Sequence, residues 1–145
     1  MRRQLAEAGQ AGDAEERREG AARGGTGLVY HEDMLLHRNP WDPQHIECPE
    51  RLAGVWARCG QLGLLERCTR LPARPASDAE LLQVHTQQFI REVELSASRA
   101  AEEQEEECSR WDSVYLCAET ERAARLAAGA AVDLVHAVLD VSTEQ

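Results

Sequence analysis

The sequence predicts a helix-rich α/β fold, and three observations carry it. A short apolar run over residues 26–30, entered through Gly24 and Gly25, reads as a strand. A second run, residues 68–71, is short and partly alternating, and Pro72 and Pro75 punctuate its exit. After Pro75 there is no proline and one glycine, Gly129, so composition alone assigns that half of the chain to helix.

Taken in order, residues 1–25 are rich in Ala, Gly, Glu and Arg with one leucine, and read as a disordered leader. Between the two strands, residues 31–49 are loop-like, with Pro40, Pro43 and Pro49. Pro49 suits the first turn of a helix, where its missing N–H has no partner to lose. Leu52, Val55, Trp56 and Cys59 then recur at helical spacing, and Gly60 and Gly63 close the helix. Beyond the second strand, Ser77 and Glu80 form a capping box, predicting a helix through Leu81, Leu82 and Val84. Phe89, Ile90, Val93 and Leu95 mark another helix. The acidic run at residues 102–107 reads as a solvated helix face or loop, and residues 111–116 as an extended segment or ordered loop. The strongest helical signal is residues 119–139, with Leu126, Ala130, Leu134 and Val138 spaced by four and Glu119 and Glu121 in the first turn. Gly129 among alanines predicts close packing against a neighbour.

At 145 residues the chain holds one domain of ordinary size. A net charge of −10 disfavours direct nucleic-acid binding, which takes surplus positive charge. All 16 basic residues are arginine, so no lysine is present to form a Schiff base or line a phosphate loop. The cysteines, Cys48, Cys59, Cys68, Cys108 and Cys117, are odd in number and match no zinc template. Reduced thiols in the cytoplasm or nucleus are expected. No signal peptide and no membrane span are read from the sequence.

Residue chemistry by itself completes no catalytic constellation. His31, Asp33, His37, Asp42 and His45 share one loop region and could ligate zinc or iron, but their spacings are irregular. Ser113 follows Asp112 without a nucleophile elbow around it. The glutamates of the acidic run are solvated and poor general acids.

The motifs in sequence order are nonetheless distinctive. They run T-G-L-V-Y at 26–30, W-D-x-x-H at 41–45, C-P-E-R-L at 48–52, G-L-L-E-R-C at 63–68, A-R-P-A-S-D-A-E-L-L-x-V-H at 73–85, W-D-S-V-Y-L at 111–116, and L-A-A-G-A at 126–130. This set resembles the start of a class IIb histone deacetylase catalytic domain. The resemblance implies an arginase/deacetylase-like α/β/α fold, of which residues 26–140 would be the N-terminal part with only the first strands of a parallel sheet. Residues 141–145 would be a tail. It implies zinc-dependent hydrolysis of N-acetyl-lysine in an acetylated protein substrate, the metal polarising the carbonyl and activating water.

Carried over residue by residue, the resemblance places Trp41, Asp42 and His45 on the loop that rims the substrate tunnel. Ser113, preceded by Asp112, matches the position that accepts the acetyl-lysine backbone N–H. Arg51 and Tyr30 match residues of the acetate channel. Each also has a plain structural role open to it: Arg51 tying a helix start to a carboxylate, Ser113 capping a turn, Trp41 packing the loop. Ile46 stands where the family often has proline. No His-His, Pro-Pro-Gly or Asp-x-His occurs in the sequence, so the family's general base and zinc ligands are not among these residues. The expectation is a piece truncated before the catalytic centre, holding no cofactor itself, inactive alone and loosely folded. The alternative is a non-catalytic, helix-rich interaction module that binds a helical protein partner through the Leu126–Val138 stripe.

Overall fold

A computed structural model describes residues 25–143; the expected leader lies almost wholly outside the described residues. Strand β1 (Thr26–Leu28) pairs in parallel with β2 (Cys68–Arg70), Thr26 opposite Cys68 and Leu28 opposite Arg70. The Leu71 N–H closes the ladder on the Leu28 carbonyl at 3.0 Å. Both strands stop short of the predicted ends, and Val29, Tyr30 and Leu71 lie past the paired segment. A parallel pair needs a long crossover, and residues 29–67 supply it.

That crossover begins with a 3-10 helix, Glu32–Leu36, capped by His31, whose Nδ1 accepts the Asp33 N–H at 3.1 Å. A loop follows in which Asn39 Oδ1 accepts the N–H groups of Trp41 and Asp42, an Asx turn that orders the chain without regular structure. Helix α1 (Pro49–Gln61) starts on Pro49 as predicted. Gly63, at φ 63°, ends it in the left-handed region, while the Leu64 N–H reaches back to the Cys59 carbonyl at 2.9 Å.

The capping box forms: Ser77 Oγ accepts the Glu80 N–H, and the Glu80 carboxylate accepts the Ser77 N–H at 2.7 Å. Helix α2 (Asp78–Leu81) nevertheless lasts one turn, shorter than predicted. Gln83 and Val84 bond three residues back, tightening the exit, and Thr86 caps a new helix, α3 (Gln87–Ser96). His85 therefore sits in the turn, against Phe89. The acidic run forms α4 (Ala101–Cys108), joined to α3 by the buried Gln104 Nε2 donating to the Ser96 carbonyl at 2.6 Å.

Helix α5 (Thr120–Thr143) organises the rest, packing on the 3-10 helix, on β1 and on α3. It runs into the segment expected as a tail. Glu119 precedes it, leaving Glu121 as the acid of its first turn. The core gathers Ala76, Ile90, Tyr115, Ala123, Leu126 and Ala130. Of the predicted stripe, Leu126 and Ala130 are buried and Leu134 is half-buried, whereas Val138 is 65% exposed because α5 outruns the two-stranded sheet beneath it.

Charges clip α5 in place. Arg125 reaches Glu121, Asp78 and Glu94. Arg122 pairs with Asp33, and Arg74 bridges Glu80 and Asp133. Glu80 and Asp133 hold the Arg74 guanidinium's pKa above its usual value, and hydrogen bonds from Arg74, then Ser77, bring the Glu80 carboxyl down to about 2. No helix among the described residues is long and apolar enough to cross a membrane.

Candidate functional site

The loop before α1 and the loop before α5 meet at His45 and Ser113, which lie 68 residues apart in sequence. Asp42 starts the arrangement: its side chain accepts the Gln44 N–H at 3.0 Å and its carbonyl accepts the His45 N–H at 3.2 Å. The turn so formed presents the imidazole. Its Nδ1 lies 3.1 Å from the Glu47 nitrogen and 3.2 Å from the Glu47 carbonyl oxygen, accepting from the first in one tautomer and donating to the second in the other. Nε2 lies 3.4 Å from Ser113 Oγ, within hydrogen-bond reach.

Ser113 has φ 58°, a left-handed conformation that a non-glycine residue holds at a cost. It sits in an exposed bend with Trp111, Asp112 and Val114, and two residues later Tyr115 is buried. The Tyr115 hydroxyl donates to the Glu47 carbonyl at 3.1 Å. Its ring meets the His45 ring edge-on at 5.0 Å and stacks on His37 at 4.4 Å. Burial, followed by the neighbouring Cys117 and Cys48, pushes the Tyr115 phenol up, keeping it a protonated donor.

Glu47 is the hub of this arrangement. Its N–H holds His45, its carbonyl holds Tyr115, and its carboxylate pairs with Arg51. Sequence reasoning passed over it because an exposed glutamate between two motifs carries no local signature; its role depends on a loop from far along the chain. Tyr115 and Thr120 were missed likewise, although a tyrosine alternating with exposed neighbours was a signal for one inward-facing ring; His37, read as a possible metal ligand, instead stacks on Tyr115.

The predicted residues therefore divide into two groups. His45 and Ser113 are in direct contact, with Asp42 shaping the first turn and Asp112 adjoining the second. Trp41 is half-buried on the same loop, its N–H bound to Asn39. Arg51 joins through Glu47 from the first turn of α1. Tyr30 lies elsewhere along α1, stacked on Trp56 at 4.1 Å, with the Arg70 guanidinium over that indole. Chemically, the first group offers a hydroxyl and an imidazole at a surface flanked by acids and by exposed Ile46 and Trp111. It can accept and donate hydrogen bonds to an amide.

Residues 45–145 match the model of the histone deacetylase domain family. The chain is similar to the polyamine deacetylase HDAC10 of Homo sapiens, at 44% identity over 117 residues, covering 79% of this chain and 18% of that protein. It is also similar to histone deacetylase 18 of Arabidopsis thaliana, at 33% identity over 115 residues, covering 79% of this chain and 17% of that protein. Among solved structures it is similar to the crystal structure of the HDA15 HD domain, with a TM-score of 0.63 and 28% identity, covering 75% of this chain and 30% of that one. The chain thus spans less than a fifth of the length of these two curated relatives.

Proposed function

This chain belongs to the histone deacetylase family, and from that premise we propose that it forms part of the substrate rim of a zinc-dependent N-acetyl-lysine amide hydrolase. The contact between His45 Nε2 and Ser113 Oγ carries the proposal, since it brings the two rim segments together at one surface. In this reading Ser113 accepts the substrate's backbone N–H, and His45 donates its Nε2 proton to the serine oxygen, holding a lone pair outward. Asp42 and Asp112 favour cationic residues beside the acetylated one. Arg51, at the head of α1, meets the released carboxylate as a bidentate donor.

Zinc is the metal this family implies, and when bound it polarises the amide carbonyl and activates water. Among the described residues no group of three or more His, Cys, Asp or Glu side chains is placed to hold a metal ion. The donors do not fit that ion, and no chemical step is routed through it. The proposal is accordingly of a rim without its hydrolytic centre, in a polypeptide that does not turn over substrate on its own. In the same reading the five cysteines stay reduced, in the cytoplasm or the nucleus.

Two measurements test this. Purified protein with zinc and an acetyl-lysine peptide should give no hydrolysis; chelator-sensitive turnover overturns the assignment of an incomplete centre. Titration of the same peptide should shift the amide resonances of residues 42–47 and 111–115, and no shift there overturns the rim assignment. An acetylated polyamine in place of the peptide distinguishes the two substrate classes named among the relatives.

A second reading rests on a separate observation. Val135, Val138 and Leu139 are exposed on the last turns of α5, and they would seat a helical protein partner. Serine at Val135 and Val138 should abolish such binding and leave the peptide titration unchanged.

A further inference from the structure

Two residues before Ser113 stands an indole that the fold leaves uncovered. Trp41 and Trp56 are half-buried, and Trp56 takes both the Tyr30 ring and the Arg70 guanidinium, the latter 4.8 Å from its ring centre. Trp111 is 65% exposed and has no ring or cation contact among the described residues. Its backbone is nevertheless anchored on both sides. The Trp111 N–H donates to the Cys108 carbonyl at 3.0 Å, and the Tyr115 hydroxyl ties the far end of the bend to Glu47. A large apolar ring held out in water on a fixed bend marks a recognition surface.

Asp112, between that indole and Ser113, is also exposed, and no hydrogen bond or ion pair engages its carboxylate among the described residues. The adjacent Arg110 does not neutralise it, being paired with Glu106 of α4 at 3.3 Å. Consecutive residues of one anchored bend therefore offer a free π face and a free negative charge. A guanidinium uses both, because it is planar, stacks on an indole and presents paired N–H donors to a carboxylate. An ammonium meets the same two groups only as a point charge. The chain already makes the stacking half of this arrangement with Arg70 over Trp56.

Resting on the rim reading above, we propose that Trp111 and Asp112 select an arginine beside the acetylated lysine, so that the substrates taken at this rim are acetylated peptides with an arginine neighbour. Ser113 fixes the backbone of the acetylated residue. Two residues of chain, from Ser113 back to Trp111, span at most roughly 7 Å, the distance that about two residues of extended peptide cover. The flanking side chain therefore arrives over the bend, its guanidinium on the indole and its N–H groups towards the Asp112 carboxylate.

The test uses two series of short acetyl-lysine peptides, with arginine, citrulline, lysine or leucine placed before the acetylated residue in one and after it in the other. Affinity is read by calorimetry, and the site by the amide resonances of residues 42–47 and 111–115. In at least one series arginine should bind about five- to tenfold more tightly than leucine, the combined worth of an exposed cation–π contact and an exposed ion pair. Lysine, which has the charge without the plane, and citrulline, which has the plane without the charge, should fall between. Trp111→Leu and Asp112→Asn should each cut the arginine preference to about two- to threefold, and the double variant should bring it to parity. The preference is a ratio within one protein, so a general loss of binding does not imitate its loss. Equal or tighter binding of the leucine or lysine peptide in both series overturns the proposal, as does a full arginine preference in the folded double variant. Shifts at the rim without an arginine preference overturn this inference alone; no shifts with any peptide overturn the rim reading and this inference with it.

Discussion

The phenol of Tyr115 donates a hydrogen bond to the backbone carbonyl of Glu47 at 3.1 Å, joining the two loops that carry Ser113 and His45. Because the ring is buried between two histidines, this bond controls where the rim imidazole stands. Tyr115→Phe keeps the packing and removes the donor. It should cost about 0.5–1.5 kcal/mol of unfolding free energy, the net value of one intramolecular hydrogen bond. Urea denaturation checks the cost, and the His45 ring resonances check the displaced imidazole.

Ser113 holds its left-handed φ of 58° without being glycine. Ser113→Gly relieves about 1–2 kcal/mol of backbone strain, less about 0.5–1 kcal/mol of extra unfolded-state entropy. Ser113→Ala removes the same hydroxyl and keeps the strain. The glycine variant should therefore be about 0.5–1 kcal/mol more stable than the alanine variant, measured by thermal unfolding. Equal stabilities would show that the backbone is not strained there.

Gly129 marks the closest approach of α5 to the segment before α2. A Cβ at this position would overlap the Arg74 carbonyl oxygen and lie 2.8 Å from the Ala76 nitrogen. Both are backbone atoms, and the Ala76 N–H is already committed to the Arg125 carbonyl at 2.8 Å. Gly129→Ala gains helix propensity but forces the strap off the helix, and should lose about 1–3 kcal/mol of stability by urea denaturation.

Glu80 ties acid stability to the strap formed by Arg74. Hydrogen bonds from the Arg74 guanidinium first, and from Ser77 second, hold its carboxyl at about 2, below the ordinary 4.5. A depressed folded-state pKa stabilises the fold above the unfolded value and loses that contribution as pH falls through the folded one. The stability difference between the parent and Glu80→Gln should thus be constant above pH 4.5 and shrink towards pH 2. Unfolding curves collected across that interval check the sign; a difference that grows on acidification contradicts it.

The exposed apolar side chains at the end of α5 and, among the described residues, the outer edges of the β1–β2 pair are surfaces that invite association. Val138→Glu should raise the concentration at which the protein begins to self-associate, read by light scattering, with little change in its unfolding midpoint.

Local chemistry was enough to read the Pro49 helix start, the Ser77–Glu80 capping box, both strands to within two residues, and the long helix around Leu126 and Ala130. These follow from caps, ring constraints and periodicity that act over a few residues. The motif order was also enough to identify the family. Tertiary structure alone decided that His45 faces Ser113, that Glu47 links His45, Tyr115 and Arg51, and that His37 and Thr120 converge on Cys117. The contacts of His45 with Ser113, of Glu47 with Tyr115 and of His37 with Cys117 join segments some 70–80 residues apart, and a hydrogen bond across such a distance leaves no periodic trace in either segment. The early end of α2 belongs with them, because the choice between one more α-turn and a tightened exit rests on Thr86 capping the next helix.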